Sequence, residues 1–342
     1  IMMLHSRCKI PYCLGMQKPY IESSWTKKDP QLDRRLRPHE LSEFIGQQAL
    51  RDRLDVFIGA AKMRGDVLGH CLFSGPPGLG KTTLAGIIAE AMGTNLVVTS
   101  GPAIDKAGDL AGILTNLNEG DVLFIDEIHR LNRSIEEYLY PAMEDFNLDL
   151  MLDSGPSARS VQVKLKTFTL VGATTRLGLL SSPLRSRFGL TCRLDYYPAE
   201  DLLKIVNRSG KVLEIELDDD AAMEIAMRSR GTPRIANNLL KWVRDFSQMR
   251  FEGAMNRTIA SQALDMLAID HRGLDELDKK ILDVIIDHYD GGPVGIATLA
   301  ASLGEEAHTL SDVYEPYLIM QGLLKRTQRG RETTPLAYQH LN

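Results

Sequence analysis

A glycine-rich segment at residues 75–82, GPPGLGKT in one-letter code, constrains the fold of this chain more than any other feature. It has the spacing G-x-x-x-x-G-K-[ST] and lies between an apolar run at residues 70–73 and a helical segment around residues 81–92. In that context glycines let backbone N–H groups turn onto phosphate oxygens, and the helix adds its positive end. The segment therefore predicts a strand, a phosphate-binding loop and a helix in succession.

The side chains of this loop predict an ATP site. Gly78 and Gly80 allow the turn, Lys81 is expected to reach the β- and γ-phosphates, and the Thr82 hydroxyl is expected to ligate Mg²⁺. A glycine-rich turn that binds nothing is the alternative, but the flanking strand and helix are the context that the motif requires. ATP and Mg²⁺ are the predicted cofactors.

Polar residues follow two further apolar runs, at residues 122–125 and 168–171. Asp126 and Glu127 end the first run, where Asp126 is expected to hold Mg²⁺ through water and Glu127 to orient and deprotonate the attacking water. Past the second run, Thr174 or Thr175 is expected to lie between Glu127 and the γ-phosphate and to sense it. These residues complete a predicted site for ATP hydrolysis.

The three apolar runs are too apolar on both sides for half-solvated strands, so they predict buried parallel strands. Helical segments lie between them, which makes the class α/β. After Pro198 the strand pattern stops and helices are predicted at residues 199–209, 218–230 and 233–251. From Asp270 the pattern indicates three helices and a basic hairpin, which is typical of a winged-helix domain.

The predicted organisation has four parts. Residues 1–30 are expected to form a disordered leader, residues 31–198 a large α/β ATPase domain, residues 199–269 a small helical domain, and residues 270–342 a winged-helix domain.

Composition excludes several classes of protein. The chain has 342 residues and 44% hydrophobic residues, which fits a globular protein of two or three domains. A net charge of -5 argues against DNA binding by bulk positive charge, so any such contact must be local. The four cysteines lack C-x-x-C spacing, which fits a reducing cytoplasm. No apolar run has the roughly 18 residues of a membrane span, so no membrane contact is expected.

Two groups of basic residues have alternative interpretations. Arg185 and Arg187 follow the third apolar run; an arginine there can reach a neighbouring subunit's γ-phosphate, although an exposed salt bridge is the simpler role. Residues 325–331 carry four positive charges around Gly330, placed to shape a hairpin tip, and predict either phosphate contacts or a solvated loop.

The segment at residues 148–166 alternates apolar and polar residues around a Ser-Gly-Pro-Ser turn and predicts a hairpin. Its Leu150 and Leu152 are expected either to pack on the sheet or to face a partner.

From about Leu36 to the C-terminus the chain resembles the RuvB family of bacterial Holliday-junction branch-migration ATPases, members of the AAA+ class. The resemblance covers about nine-tenths of the chain and extends beyond the phosphate loop. It includes the runs at residues 36–38, 75–83, 99–102, 106–110, 124–131, 140–145, 231–237 and 315–319.

This resemblance implies a hexameric ring that uses ATP to pull duplex DNA from a four-way junction, with the RuvA protein and the RuvC resolvase as partners and the hairpin at Leu150 and Leu152 facing RuvA. It implies an AAA+ phosphate-loop domain, a helical lid and a winged helix. The residues carried over are Leu36, Arg37, Tyr197, Glu144, Asp145 and Phe146 for adenine and ribose; Gly78, Lys81, Thr82 and Thr83 for phosphate; Arg187 for the arginine finger in trans; Arg234 for the second sensor; and Arg326 and Arg331 for DNA.

The sequence disfavours three other functions. A clamp-loader-type switch lacks the basic hairpin and typically has a Ser-Arg-Cys motif, which is absent from this sequence. A protein unfoldase should have an aromatic-glycine pore loop, also absent. A winged-helix transcription regulator needs a base-reading face, and Pro316 beside Tyr317 in the third helix offers no obvious one.

Overall fold

The computed structural model describes residues 35–151 and 160–341. Its large domain contains a parallel sheet of five strands in the order β2-β3-β6-β1-β7 and a separate antiparallel hairpin of β4 and β5. In chain order the strands are β1 (Cys71–Ser74), β2 (Leu96–Ser100), β3 (Val122–Asp126), β4 (Asn147–Met151), β5 (Ser160–Lys164), β6 (Thr169–Thr174) and β7 (Leu190–Arg193). The predicted α/β class is confirmed.

The three strands predicted from apolar runs form the centre of the sheet. Every residue of β1 and β6 is buried, as are four of the five in β3, because helices cover both faces. The edge strands β2 and β7 are less buried, and their mixed apolar and polar composition does not stand out as an apolar run in the sequence. β6 pairs with β1 on one side and β3 on the other, so it separates the phosphate loop from Asp126.

Helices cover the two faces of the sheet. In chain order they are α1 (Gln48–Arg64), α2 (Lys81–Met92), α3 (Ala107–Thr115), α4 (Arg133–Glu144) and the short α5 (Ser182–Ser186). The first core cluster includes Leu54 of α1 and Ile88 of α2, and the second includes Leu110 of α3 and Leu139 of α4. The helices predicted around 81–92 and 134–145 are therefore present.

The small domain is helical, with α6 (Ala199–Val212), α7 (Asp219–Met227), α8 (Pro233–Arg250) and α9 (Arg257–Met266). Its apolar residues, among them Val206 and Leu240, belong to the same core cluster as α1 and α2. The lid thus packs as a continuation of one layer of the large domain.

The C-terminal domain has its own core. Its helices are α10 (Glu276–Tyr289), α11 (Ile296–Leu303), α12 (Ala307–Thr309), which continues through a π-helical turn (Leu310–Tyr314), α13 (Glu315–Met320), and α14 (Pro335–Leu341). A hairpin of β8 (Leu324–Thr327) and β9 (Gly330–Thr333) follows α13. The predicted winged-helix architecture is confirmed. Across the part of the chain that the structure describes, no helix is long and apolar enough to span a bilayer.

The hairpin predicted at residues 148–166 is present. Leu148 pairs with Val163 and is fully buried, whereas Val161 is 41% exposed. The base of the hairpin therefore packs on the domain. Leu152 lies outside the described residues, as does the predicted leader, and the Leu150 side chain is also outside the description.

Candidate nucleotide site and the surfaces around it

The phosphate loop joins β1 to α2 with three glycines at positive φ, namely Gly75, Gly78 and Gly80. A side chain at Gly75 would collide with the Leu194 carbonyl at 2.4 Å, and Gly80 precedes the first residue of α2 at φ 104°. The loop can therefore be built only from residues without a Cβ at these points. It directs the N-terminus of a 12-residue helix at the position of the phosphates.

Lys81 lies inside the loop that precedes it. Its Nζ donates hydrogen bonds to the carbonyls of Gly75 and Pro76, both at 2.8 Å, and the residue is buried. Burial lowers its pKa, while Asp126 and Glu127 act in the opposite direction. The lysine and the two carboxylates therefore face one another across the site.

The Mg²⁺ that the motif implies fits the donors present. Thr82 lies in the first turn of α2, and Asp126 ends β3 two strands away in the sheet. A hydroxyl and a carboxylate, with nucleotide phosphates and water, are the oxygen ligands that Mg²⁺ prefers. Within the described ranges, no group of three or more His, Cys, Asp or Glu side chains is placed to hold a metal ion.

The predicted base, Glu127, is held by residues from two elements. Its backbone is left-handed, with φ 48°, and begins a 3₁₀ turn at residues Ile128–Arg130. Its Oε2 accepts a hydrogen bond from Thr175 Oγ1 at 3.1 Å and lies 3.1 Å from Nδ1 of His129. Both of these contacts are therefore to the same carboxylate oxygen.

The geometry gives different roles to Thr174 and Thr175, the two candidates for the sensor. Thr174 is fully buried at the end of β6, and its Oγ1 lies 2.9 Å from His129 Nδ1 and accepts from the Arg176 N–H. Thr175 bonds the Glu127 carboxylate directly. This arrangement favours Thr175 as the sensor and gives Thr174 a supporting role.

The lid domain touches the phosphate loop at Arg234. Its backbone N–H donates to the Gly78 carbonyl at 3.3 Å, and a side chain at Gly78 would collide with Thr232 at 2.7 Å. Arg234 also acts electrostatically to lower the pKa of Lys81, so its charge is close to the lysine. A cation of the lid therefore lies near the lysine of the phosphate loop.

The residues expected at the adenine and ribose lie partly beside the loop. The Tyr197 hydroxyl donates to the Leu79 carbonyl at 3.3 Å, and burial raises the pKa of this tyrosine. Leu36 is buried, with its carbonyl accepting from Arg208, whereas Arg37 is exposed. Thr83 lies in the first turn of α2 beside Thr82.

A second group of predicted nucleotide residues lies at the amino ends of the strands, opposite the phosphate loop. His70 precedes β1, and its Nε2 lies 3.0 Å from the Met143 carbonyl at the end of α4, while the Phe146 ring packs on Phe168. Glu144 and Asp145 lie in the same segment. Because the phosphate loop leaves the carboxyl end of β1, these residues are on the far side of the sheet from their own chain's loop.

Arg187 lies in this second group. Its Nη2 donates to Glu144 Oε2 at 3.0 Å, its guanidinium stacks over Tyr140 at 4.5 Å, and it precedes β7 at the amino edge of the sheet. The salt bridge considered from the sequence therefore exists. The same position lies at the opposite end of the strands from the chain's own phosphate loop, which argues against a contact with its own γ-phosphate.

Of the two hairpin arginines predicted to contact DNA, one is exposed and the other is buried. Arg326 on β8 is exposed, whereas Arg331 on β9 is 8% exposed and its Nη2 donates to Glu315 Oε2 at 2.8 Å. Gly330 does not form the tip, since it follows the two-residue turn and lies against the Val294 backbone, where a Cβ would be 2.3 Å from a carbonyl oxygen. The geometry supports Arg326 as a phosphate contact and argues against Arg331.

Three residues that no sequence motif singles out lie in contact with the site or between domains in the structure. His129 contacts Glu127, Arg176 forms an ion pair with Asp312 of the winged helix, and Arg230 is buried against Asp278. His129 is three residues past Asp126, a spacing that could have indicated it. Nothing in the pattern around Arg230 shows that it is buried.

Together, a phosphate loop beside a sensor strand, a strand-end carboxylate pair and a helical lid that touches the loop define a P-loop ATPase of the AAA+ class. Three family models cover the chain: the Holliday junction DNA helicase RuvB P-loop domain at residues 36–194, the RuvB AAA lid domain at 197–270, and the RuvB C-terminal winged helix domain at 271–342. The chain therefore belongs to the RuvB family.

Individual relatives agree with that assignment. A Holliday junction branch migration complex subunit RuvB of Protochlamydia amoebophila is 65% identical over 95% of this chain and 98% of its own length. One from Chlamydia trachomatis is 59% identical over 92% of this chain and 94% of its own. The solved Thermotoga maritima RuvB Holliday junction branch migration motor is 55% identical, with a TM-score of 0.82, over 90% of this chain and 98% of the other.

Proposed function

We propose that this chain hydrolyses ATP to move the branch point of Holliday junctions during homologous recombination and repair. The observation that carries the proposal is the contact of the lid with the phosphate loop, where the Arg234 N–H bonds the Gly78 carbonyl. Loss of a γ-phosphate at that contact changes what the lid binds, and the lid packs on the winged-helix domain through Arg230. The lid thereby connects the ATP site to the winged-helix domain.

The side chains divide the work of hydrolysis. Lys81 and the loop N–H groups bind the phosphates, Thr82 and Asp126 hold Mg²⁺, and Glu127 takes a proton from the attacking water. When bound, Mg²⁺ would neutralise negative charge on the phosphates. Thr175 donates a hydrogen bond to Glu127 and would sense the γ-phosphate beside it.

Hydrolysis is completed by a second subunit. Arg187, Glu144, Asp145 and Phe146 lie at the amino edge of the sheet, so they serve the nucleotide of a neighbour. Head-to-tail repetition of such a contact closes into a ring, which supports a homohexamer around DNA.

The wing binds duplex DNA through its phosphates. Lys325, Arg326 and Arg329 are exposed on the hairpin, which provides local positive charge in a chain whose net charge is -5. Such contacts carry no base information, and a motor that moves along any sequence needs none.

The partners are the other components of the junction-processing system. RuvA would bind the β4–β5 hairpin near Leu150 and Leu152, where Val161 is 41% exposed, and the RuvC resolvase would act on the same junction. The proposed location is the cytoplasm, where the chromosome of a bacterium lies.

The test is junction migration by the purified chain with RuvA on a synthetic four-way junction. With ATP, the wild type should convert the junction to two duplexes, and Lys81→Ala should not. Glu127→Gln should bind ATP and DNA but convert no junction. If Glu127→Gln migrates junctions at the wild-type rate, the assignment of the catalytic base is wrong.

A further inference from the structure

A buried histidine contacts the proposed catalytic base. The His129 side chain is 7% exposed, and its Nδ1 lies 3.1 Å from Glu127 Oε2 and 2.9 Å from Thr174 Oγ1. Histidine at a buried position is often only a packing residue, but here one ring nitrogen lies between two polar oxygens of the site. The contact therefore needs a chemical account.

The two neighbours determine which form of the ring is present. An ionised carboxylate can only accept hydrogen bonds, so Nδ1 must carry a hydrogen to be held 3.1 Å from Glu127 Oε2. The Thr174 Oγ1 accepts the Arg176 N–H at 3.0 Å, which fixes the hydroxyl beside the ring. Burial lowers the pKa of His129, which is in keeping with a neutral ring protonated on Nδ1.

The backbone holds the histidine in this place. His129 lies in the 3₁₀ turn that starts at Glu127, and the Arg130 N–H donates to the Glu127 carbonyl at 2.8 Å. A Cβ on Gly101 would lie only 2.5 Å from that carbonyl oxygen, so the turn packs directly against a residue without a side chain. The ring and the carboxylate therefore share one rigid loop.

We propose that His129 is a positioning residue for ATP hydrolysis: its Nδ1–H, hydrogen-bonded to Thr174 Oγ1, lies 3.1 Å from Glu127 Oε2, attracts that oxygen and leaves the other, Oε1, for the attacking water. Thr175 donates to the same Oε2 from β6 at 3.1 Å. With the Thr175 hydroxyl bonded to Oε2 and the His129 Nδ1 beside it, the carboxylate can rotate little. A base that is fixed in this way loses less entropy on reaching the transition state. The inference rests on the proposed role of Glu127 as the base.

Two polar variants of similar size separate positioning from packing. In His129→Asn the amide nitrogen takes the place of Nδ1 and keeps the donor, whereas in His129→Gln it takes the place of Nε2 and loses it. We expect kcat for ATP to fall about 10- to 100-fold in His129→Gln and to stay within about 3-fold of wild type in His129→Asn. KM should change little in either, because the water is not part of ATP binding. His308→Gln, at a 70% exposed histidine, is the control.

A second pair of variants tests the same contact from Thr174. Thr174→Ser keeps the hydroxyl and should preserve kcat, whereas Thr174→Val should lower it. In a Glu127→Gln background His129→Gln should have no further effect on the residual rate, because no carboxylate remains to be positioned. Equal kcat in the Asn and Gln variants would overturn the inference.

Failure of the inference and failure of the proposed function give different results. If Glu127→Gln abolishes turnover while His129→Gln leaves kcat unchanged, Glu127 remains the base and His129 is only a packing residue. If Glu127→Gln retains turnover, the assignment of the base itself is wrong, whatever the histidine variants show.

Discussion

Arg230 and Asp278 form a two-point ion pair between the lid and the winged-helix domain, with Nη1–Oδ2 at 2.8 Å and Nη2–Oδ1 at 3.3 Å. Arg230 is 5% exposed and the Asp278 side chain is fully buried. The guanidinium also stacks over the Tyr317 ring at 4.3 Å. Burial raises the pKa of Asp278 and the arginine opposes that shift, so the pair depends on both members.

This pair predicts a large loss of stability when only one member is removed. Arg230→Ala should lower the free energy of unfolding by about 3 to 5 kcal/mol, because Asp278 stays buried without its cation. The double variant Arg230→Met with Asp278→Leu should lose less, since no charge remains buried. Arg193→Ala, whose ion pair with Asp195 is exposed, should change it by less than about 1 kcal/mol. Urea unfolding followed by circular dichroism measures all three; a larger loss in the double variant than in Arg230→Ala would contradict this account.

His70 predicts part of the pH dependence of stability. Its Nδ1 accepts the Leu170 N–H and its Nε2 donates to the Met143 carbonyl, so the folded ring is neutral, and burial lowers its pKa. The unfolded chain binds the proton near pH 6.5, so stability present at pH 7.5 is lost as pH falls below about 6.5.

The measurement for His70 is the urea midpoint at pH 7.5 and pH 5.5. It should fall on acidification in the wild type and fall less in His70→Gln, which cannot titrate. His129 also has a lowered pKa, so some of the pH dependence should remain in the variant. An equal fall in both proteins would exclude a contribution from His70.

The wing predicts different outcomes for its two arginines. Arg326→Ala should weaken binding to any duplex and lower the slope of log affinity against log salt by about 0.9, the value for one phosphate contact. Arg331→Ala should instead lower stability, because it leaves Glu315 buried without its cation. Fluorescence anisotropy on two unrelated duplexes across a salt titration distinguishes them. A salt slope that changes only in Arg331→Ala would reverse the assignment.

Sequence predicted the parts of this protein whose chemistry is local. The phosphate loop, the strand-end carboxylates and the three central strands follow from short patterns, because glycine spacing and apolar runs determine local structure. The edge strands and the burial of Arg230 and Arg331 depend on tertiary contacts that a short pattern does not contain. The division of roles between Thr174 and Thr175 depends on His129, which the fold brings to that strand.

The central claim is a motor whose ATP sites are completed between subunits, with Lys81 from one chain and Arg187 from the next. The most direct measurement is steady-state ATPase activity on four-way junction DNA for Lys81→Ala, for Arg187→Ala and for the two variants mixed. Each variant alone should be inactive. The mixture should regain activity, because interfaces that join an intact Lys81 to an intact Arg187 form in mixed rings. No recovery, in subunits shown by native mass spectrometry to co-assemble, would contradict the shared site.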